Sequence, residues 1–134
     1  MSIKEIKRAA ERHLSQMPSQ WPTAYEGVSF NPPDGNYLRV QFSIQPPDDP
    51  TLGLGYHRER IQLQVFVVTS AGSGTAEALD KAEQIRERFT KGTFLLESSI
   101  RIYVLRTPSI RSTVVLNERL VVPVLIDLVC EVQT

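Results

Sequence analysis

Residues 68–80, VTSAGSGTAEALD, have the form of a strand that passes through a glycine turn into a helix, which is where phosphate-binding loops occur. A G-x-x-x-x-G-K-[ST] loop needs a lysine after its last glycine, but Thr75 follows Gly74. The dinucleotide pattern G-x-G-x-x-G is matched only in its first two glycines, because its third position is Glu77, whose charge would repel a phosphate. These residues therefore favour an ordinary turn, with Ser73 or Thr75 as the helix cap.

The other groups that could do chemistry are scattered along the chain. Neither His13 nor His57 has an evident catalytic partner, and no nucleophile-elbow sequence surrounds any serine. Asp48 and Asp49 are adjacent carboxylates between prolines, which do not form a metal cage. Cys130 lies on the apolar face of a predicted strand, where a thiol is inert. The sequence therefore predicts no catalytic residue, no cofactor and no metal.

The amino-acid composition indicates which kinds of partner the protein can attract. Fifteen basic and fifteen acidic residues give a net charge of zero, so there is no long-range attraction to nucleic acid or to an anionic membrane. Eleven of the basic residues are arginines, which favour the bidentate pairing used in interfaces. The N-terminal sequence alternates charged and apolar residues and predicts neither a signal peptide nor a membrane span. The length suits one domain, expected over residues 1–134.

Two amphipathic helices are predicted. The first begins with the capping-box residues Ser2 and Glu5 and ends before Pro18. The second follows the glycine turn and has Gly92 as its expected C-cap. Its apolar stripe consists of Ala78, Ala82, Ile85 and Phe89.

Three long strands are predicted from alternating polar and apolar residues, over residues 37–45, 59–69 and 119–132. Because proline cannot donate a ladder hydrogen bond, we expect the Pro123 end of the last strand at a sheet edge or a bulge. The side chains expected to point into the core are Leu38, Val40, Phe42, Ile44, Ile61, Leu63, Val65, Val67, Leu120, Val122, Val124, Ile126, Leu128, Cys130 and Val132.

Shorter elements complete the prediction. Short strands are expected around Ala24–Glu26, 99–105 and 110–115, with a turn at Asn117 and Glu118. The prolines and glycines of residues 46–55 cannot continue a ladder, so we expect a protruding, mobile loop there.

The order of these elements predicts an α+β fold, with a mostly antiparallel sheet packed against two α-helices. The helices would cover one face of the sheet. The opposite face is expected to meet water or a partner subunit, and carries Arg39, Gln41, Gln45, Gln62 and Gln64.

Across nearly its whole length the chain resembles the small tail-terminator (tail-completion) proteins of long-tailed bacteriophages. The stretches that carry the resemblance are WPTAYEGVSFNPPDGNYLRVQF, VFVVTSAGSGTAEALDKAEQIRERF and RLVVPVLIDLVCEV. Its most specific residues are Trp21, Phe30, Asn31, Pro32, Pro33, Tyr37, Leu38, Arg39 and Val40. We expect Trp21 to pack over the end of the core rather than to anchor a partner.

The resemblance implies a protein without enzymatic activity that forms a hexameric ring on the finished tail tube. Such a ring stops tube polymerisation and offers a surface to the head connector, while phage DNA only passes through it. The implied partners are further copies of the chain, the tail tube protein and the head–tail connector, with no membrane. The implied location is the virion tail, and the host cytoplasm during assembly.

A closed ring repeats a contact between two different surface patches. We expect the loop from Pro46 to Arg58 to reach the tube or the neighbouring subunit and to become ordered on contact, because its composition cannot hold it rigid. Arginines are expected to form charged contacts across subunits. The candidate interface residues are Asp48, Asp49, His57, Arg58, Arg60 and Arg39.

Other functions remain open at this point. A head–tail connector or neck protein would have a similar size, and a small nucleotide-binding or hydrolytic enzyme would use Gly72–Thr75. A toxin–antitoxin or regulatory module would need a basic groove or a recognition helix, and the sequence contains no such pattern.

Overall fold

The computed structural model describes residues 2–50, 52–72, 74–97 and 100–133. In chain order its elements are α1 (Ser2–Ser15), β1 (Thr23–Ala24), β2 (Tyr37–Asp48), β3 (Tyr56–Ser70), α2 (Ala76–Arg88), β4 (Phe94–Glu97), β5 (Ile100–Val104), β6 (Ser109–Ile110), β7 (Val114–Leu116) and β8 (Arg119–Gln133). No helix of the described chain is long and apolar enough to cross a membrane.

The strands form one sheet in the order β1-β2-β3-β8-β5-β4. β3 pairs with β8 along its whole length, so the shorter strands β5, β6 and β7 all line the other side of β8. Every strand pair is antiparallel except β1 with β2, which is parallel. The predicted α+β class and the mostly antiparallel sheet are confirmed, and β1 makes the sheet mixed.

Both helices pack on one face of this sheet. The stripe predicted for α2 is fully buried, together with Ile6, Ala10 and Leu14 of α1. Nearly all the strand residues predicted to point inward are buried or pack against the core, because alternation along a strand presents one face to the helices. Ile44 is the exception: it is exposed, since β2 extends beyond the surface that the helices cover.

The prediction of a loop from residue 46 to 55 is wrong in its first three residues. β2 continues through Pro46 and Pro47 to Asp48, with one extra residue relative to β3 between Gln45 and Asp48. Its other edge is free there, because the two-residue β1 pairs only with Leu38 and Arg39. Prolines are tolerated in such an edge strand, where an absent N–H leaves no ladder bond unmade.

The Pro123 end was predicted to lie at an edge or a bulge, and it is not at an edge, because β8 is an interior strand. The bulge alternative fits, since residues 111–113 between β6 and β7 lie opposite only Val122 and Pro123 of β8. The Pro123 carbonyl accepts a hydrogen bond of 2.9 Å from the Arg111 backbone N–H. The N and O atoms of one residue in an antiparallel strand point to the same neighbour. The nitrogen of Pro123 therefore faces the interruption between β6 and β7, where no partner strand requires a donor.

Several helices and strands begin or end at other residues than predicted. α2 ends at Arg88, with Phe89 as its C-cap, and Gly92 instead takes a positive φ of 85° in the turn before β4. β4 itself was not predicted. The strand expected at 99–105 covers Ile100–Val104, and the one expected at 110–115 is divided into β6 and β7.

Candidate assembly surface

The hairpin of β2 and β3 ends in a loop that projects from the sheet. We call residues 49–50 and 52–55 the tip loop. Leu52 and Leu54 are fully exposed there, and the neighbouring Ile44 is largely exposed. Exposed apolar side chains that cluster on a projecting loop are typical of contact surfaces. The prediction did not single out the two leucines, although an L-x-L pattern within a proline- and glycine-rich loop was a usable signal.

Three of the six candidate interface residues lie together just below the tip loop. The guanidinium of Arg60 is 3.6 Å from Asp48, and that of Arg58 is 3.8 Å from Glu131. A hydrogen bond to Tyr56 raises the pKa of Arg58, so this side chain stays charged. Partly exposed pairs at these distances contribute little to folding. All four side chains are partly exposed, so a second molecule can reach their charges.

Asp49 and His57 are placed differently from that group. Asp49 is exposed in the tip loop. His57 points to the helix-covered side of the sheet, because side chains alternate along β3, and its Nε2 lies 2.8 Å from Glu59. His57 is thus turned away from Arg58 and Arg60, although it is adjacent to Arg58 in sequence.

Arg39 lies far from the other candidates. It pairs in register with Phe66, and its guanidinium sits 5.0 Å from the centre of that ring. Gln45, which pairs with Arg60, is six positions further along β2, a distance of about 20 Å. Arg39 and Arg60 therefore cannot belong to one local cluster within a chain.

The sheet face opposite the helices is mixed in character: Val68 and Val129 are buried on it, but its middle is only partly covered. Gln62 donates a hydrogen bond of 3.2 Å to Asp127, and Gln64 donates one of 3.0 Å to Gln62. Phe66 and Leu125 lie beside these amides and are only half-buried. Amide ladders interspersed with apolar side chains suit a partly hydrated protein interface.

The glycine turn before α2 has a conformational role: it joins β3 to α2. Gly72 and Gly74 both have positive φ, of 99° and 80°, which glycine adopts without strain. Thr75 occupies the N-cap position, but its side chain makes no capping hydrogen bond, and Ser73 lies outside the described residues. Glu77 stands in the first turn of α2, where a carboxylate favours the positive end of the helix.

Trp21 packs against the core, as expected. Lys81 is buried beneath it, with its Nζ 5.0 Å from the centre of the Trp21 ring and donating a hydrogen bond to the Ser19 carbonyl. Burial lowers the pKa of Lys81. The contact fixes the chain segment between α1 and β1 onto α2.

One arginine, Arg119, fixes the loop around Pro33 and Gly35, which belongs to the first of the stretches that carry the family resemblance. Arg119 donates hydrogen bonds of 2.6 Å to the Gly35 carbonyl and 2.7 Å to the Pro33 carbonyl. Its guanidinium also lies 5.6 Å from the ring centre of Tyr37, which packs on Phe30. The Asn-Pro-Pro motif is therefore a structural loop attached to the start of β8.

The remaining chemical groups are inert in this setting. Cys130 is fully buried, and burial together with nearby carboxylates raises the pKa of its thiol to about 11. His13 places Nε2 2.8 Å from the Arg88 carbonyl, and burial lowers the pKa of the imidazole. Within the described parts of the chain, no three histidine, cysteine or acidic side chains form a group able to hold a metal ion.

Comparison with known proteins gives one family. The model of a family described as phage tail terminator protein matches residues 5–127. No curated protein matched the chain significantly.

Solved structures show the same fold. A protein without a descriptive name is 22% identical, with a TM-score of 0.76 over 100% of this chain and 97% of its own. A chain from the virion of a native gene transfer agent (GTA) particle is 17% identical, with a TM-score of 0.61 over 98% of this chain and 96% of its own.

Proposed function

We propose a function from one established premise: the chain belongs to the phage tail terminator protein family. Membership supports a structural role in the phage tail. We propose that six copies form a closed ring on the end of the tail tube, stop its polymerisation and present a surface to the head connector. The observation that carries this proposal is the family match over residues 5–127 of a 134-residue chain.

The shape of the molecule supports a ring. Rings are built from a heterologous contact, in which one patch of each subunit meets a different patch of the next. The projecting tip loop and the sheet face opposite the helices are two such patches, and they lie on different parts of the molecule. An apolar loop that no other described residue covers gains most by burial against a partner.

We assign the first contact with the tube or with the neighbouring subunit to the hairpin end. Asp49, Leu52 and Leu54 extend beyond the folded core there, and the tip loop would become ordered on binding. The charged residues below it, Arg58 and Arg60, would form pairs across subunits, and Arg39 would contribute from a separate position.

The remaining parts of the proposal follow from ring formation. Phage DNA would pass through the ring without being read, consistent with a chain whose net charge is zero. The protein would assemble in the host cytoplasm and remain in the virion tail. Its function would be structural rather than enzymatic.

The decisive experiment measures tail length by negative-stain electron microscopy in lysates of the parent phage, first with the gene deleted and then with it restored. Overlong or ragged tails without heads, corrected by restoration, are the expected result. Tails of normal length that fail to join heads would instead indicate a neck protein. Normal virions in the absence of the gene would contradict both roles.

A further inference from the structure

β7 exposes three consecutive apolar side chains. Val114, Val115 and Leu116 are 49%, 66% and 57% exposed. Because successive side chains of a strand point to opposite faces, β7 is apolar on both faces and covered on neither. Three exposed apolar residues in a row on a short strand indicate a contact site.

The backbone of β7 is also available. Asn117 and Glu118 form a two-residue turn with positive φ values of 50° and 61°, which makes Leu116 and Arg119 the hydrogen-bonded pair that flanks it. Val115 is therefore in a non-hydrogen-bonded pair with Leu120, and its N–H and C=O point away from β8. No strand of the described chain pairs with that edge.

The tip loop complements this strand in its apolar surface and in its charge. Leu52 and Leu54 of the tip loop are fully exposed, and all three apolar side chains of β7 are largely exposed, so each element offers apolar surface to the other. Residues 46–55 contain two carboxylates and no basic residue. Residues 100–119 contain four arginines and one carboxylate. Among these arginines, Arg111 is exposed and has no ion pair within the described residues.

The two elements cannot meet within one chain. The tip loop precedes Tyr56 at one end of β3, whereas β7 flanks Arg119, which pairs with Ser70 at the other end. Fifteen residues of strand separate the two ends by about 45–50 Å. A contact between them therefore requires two copies, and it is heterologous by construction.

We propose that the leucines of the tip loop in one copy pack on β7 of the next copy, with the Asp48 and Asp49 carboxylates facing Arg111. This proposal rests on the proposed function, because a closed ring repeats the contact around its axis. It names the neighbouring subunit, rather than the tube, as the partner of the tip loop.

The test is disulfide cross-linking of a chain that carries Leu54→Cys and Val115→Cys. Both positions are exposed, so the substitutions preserve the core. Mild oxidation of the concentrated purified protein, and of tails assembled with it, should give a ladder of covalent oligomers that ends at the number of subunits in the ring. The unsubstituted chain, whose Cys130 is buried, should give no covalent oligomers under the same conditions.

Three variants complete the design. Leu54→Cys alone and Val115→Cys alone should give no ladder, and Leu54→Cys with Leu79→Cys, on the exposed face of α2, should give none either. Dimers from Val115→Cys alone would show that β7 pairs with β7 and would overturn the proposal. So would a double variant that yields only monomers in concentrated solution and on tails.

The measurement of tail length remains a separate readout. Normal tail length with no cross-link would refute this contact and leave the terminator function intact. A ladder from the purified double variant, together with unchanged virions when the gene is deleted, would support the contact and refute the terminator function.

Discussion

Glu97 joins the first helix to the sheet edge through a partly buried ion pair. Its side chain is 8% exposed, and both carboxylate oxygens accept hydrogen bonds from Nη2 of Arg12, at 2.9 and 2.5 Å. Glu97→Gln keeps the size of the side chain but removes its charge. We expect the free energy of unfolding to fall by about 1–3 kcal/mol, as measured by urea denaturation. Glu87→Gln, on the exposed face of α2, is the matched control and should change stability little; equal losses in both variants would contradict the assignment.

Glu26 makes stability depend on pH. Its pKa is held below the ordinary 4.5, first by the hydrogen bond from Lys7 and then by the one from the Phe42 backbone N–H. Because the folded-state pKa is lowered, the carboxylate's contribution is present above the unfolded-state value and is lost as pH falls through the folded-state value. The Phe42 N–H belongs to the exposed edge of β2, so the same carboxylate also blocks that edge from pairing with another strand.

The test for Glu26 compares the wild type with Glu26→Gln by urea denaturation across pH. The wild type should be the more stable protein near neutral pH, and its advantage should shrink below the unfolded-state pKa of about 4.5. An advantage of constant size down to about pH 3 would show that this carboxylate does not titrate as described.

The turn between β7 and β8 is the element with the clearest backbone strain. Glu118 has a positive φ of 61°, a conformation that glycine adopts without penalty. Glu118→Gly creates the Asn-Gly pair that two-residue hairpin turns favour, and it should raise the free energy of unfolding by roughly 0.5 kcal/mol. Glu118→Ala keeps the strain and should not stabilise, so a gain of similar size in both variants would place the effect elsewhere.

The projecting hairpin end can be removed without reaching the core. If residues 49–55 are replaced by Asn-Gly, four residues connect the paired Asp48 and Arg58, a length that hairpin loops commonly have. The fold should survive, with little change in the circular dichroism spectrum or melting temperature. Tail binding, measured by co-sedimentation with tails from a phage lacking the gene, should be lost. Retention of full binding by the shortened protein would remove the tip loop from the assembly surface.

Charge at the base of the hairpin should matter more for association between subunits than for folding of the monomer. Arg60 is only 3.6 Å from Asp48 and partly exposed, so Arg60→Glu should leave the monomer folded. It should weaken subunit association severalfold, seen as a shift toward smaller species in mass photometry. The control is Arg8→Glu on the exposed side of α1; an unchanged oligomer distribution for Arg60→Glu would exclude Arg60 from the interface.

For the whole molecule, the sequence by itself determined the elements whose burial repeats along the chain. The stripe from Ala78 to Phe89 and the alternating residues of β3 and β8 were predicted correctly, because a helix or strand with one buried face must repeat its apolar residues with its own period. The turn at Asn117 and Glu118 was also predicted correctly, because its signal lies in two adjacent residues. The absence of a lysine after Gly74 also argued against a phosphate-binding loop from sequence alone.

Tertiary structure decided the features that depend on neighbours. Pro46 and Pro47 continue β2 because nothing pairs with its outer edge there, and Pro123 is tolerated inside the sheet because its nitrogen faces the interruption between β6 and β7. Tertiary structure also separated the six candidate interface residues. The alternation of side chains along β3 turns His57 away from Arg58, and the register between β2 and β3 places Arg39 far from Arg60. A linear pattern records which residues are polar or apolar, but the residues that meet are fixed only when strands choose their partners and their register.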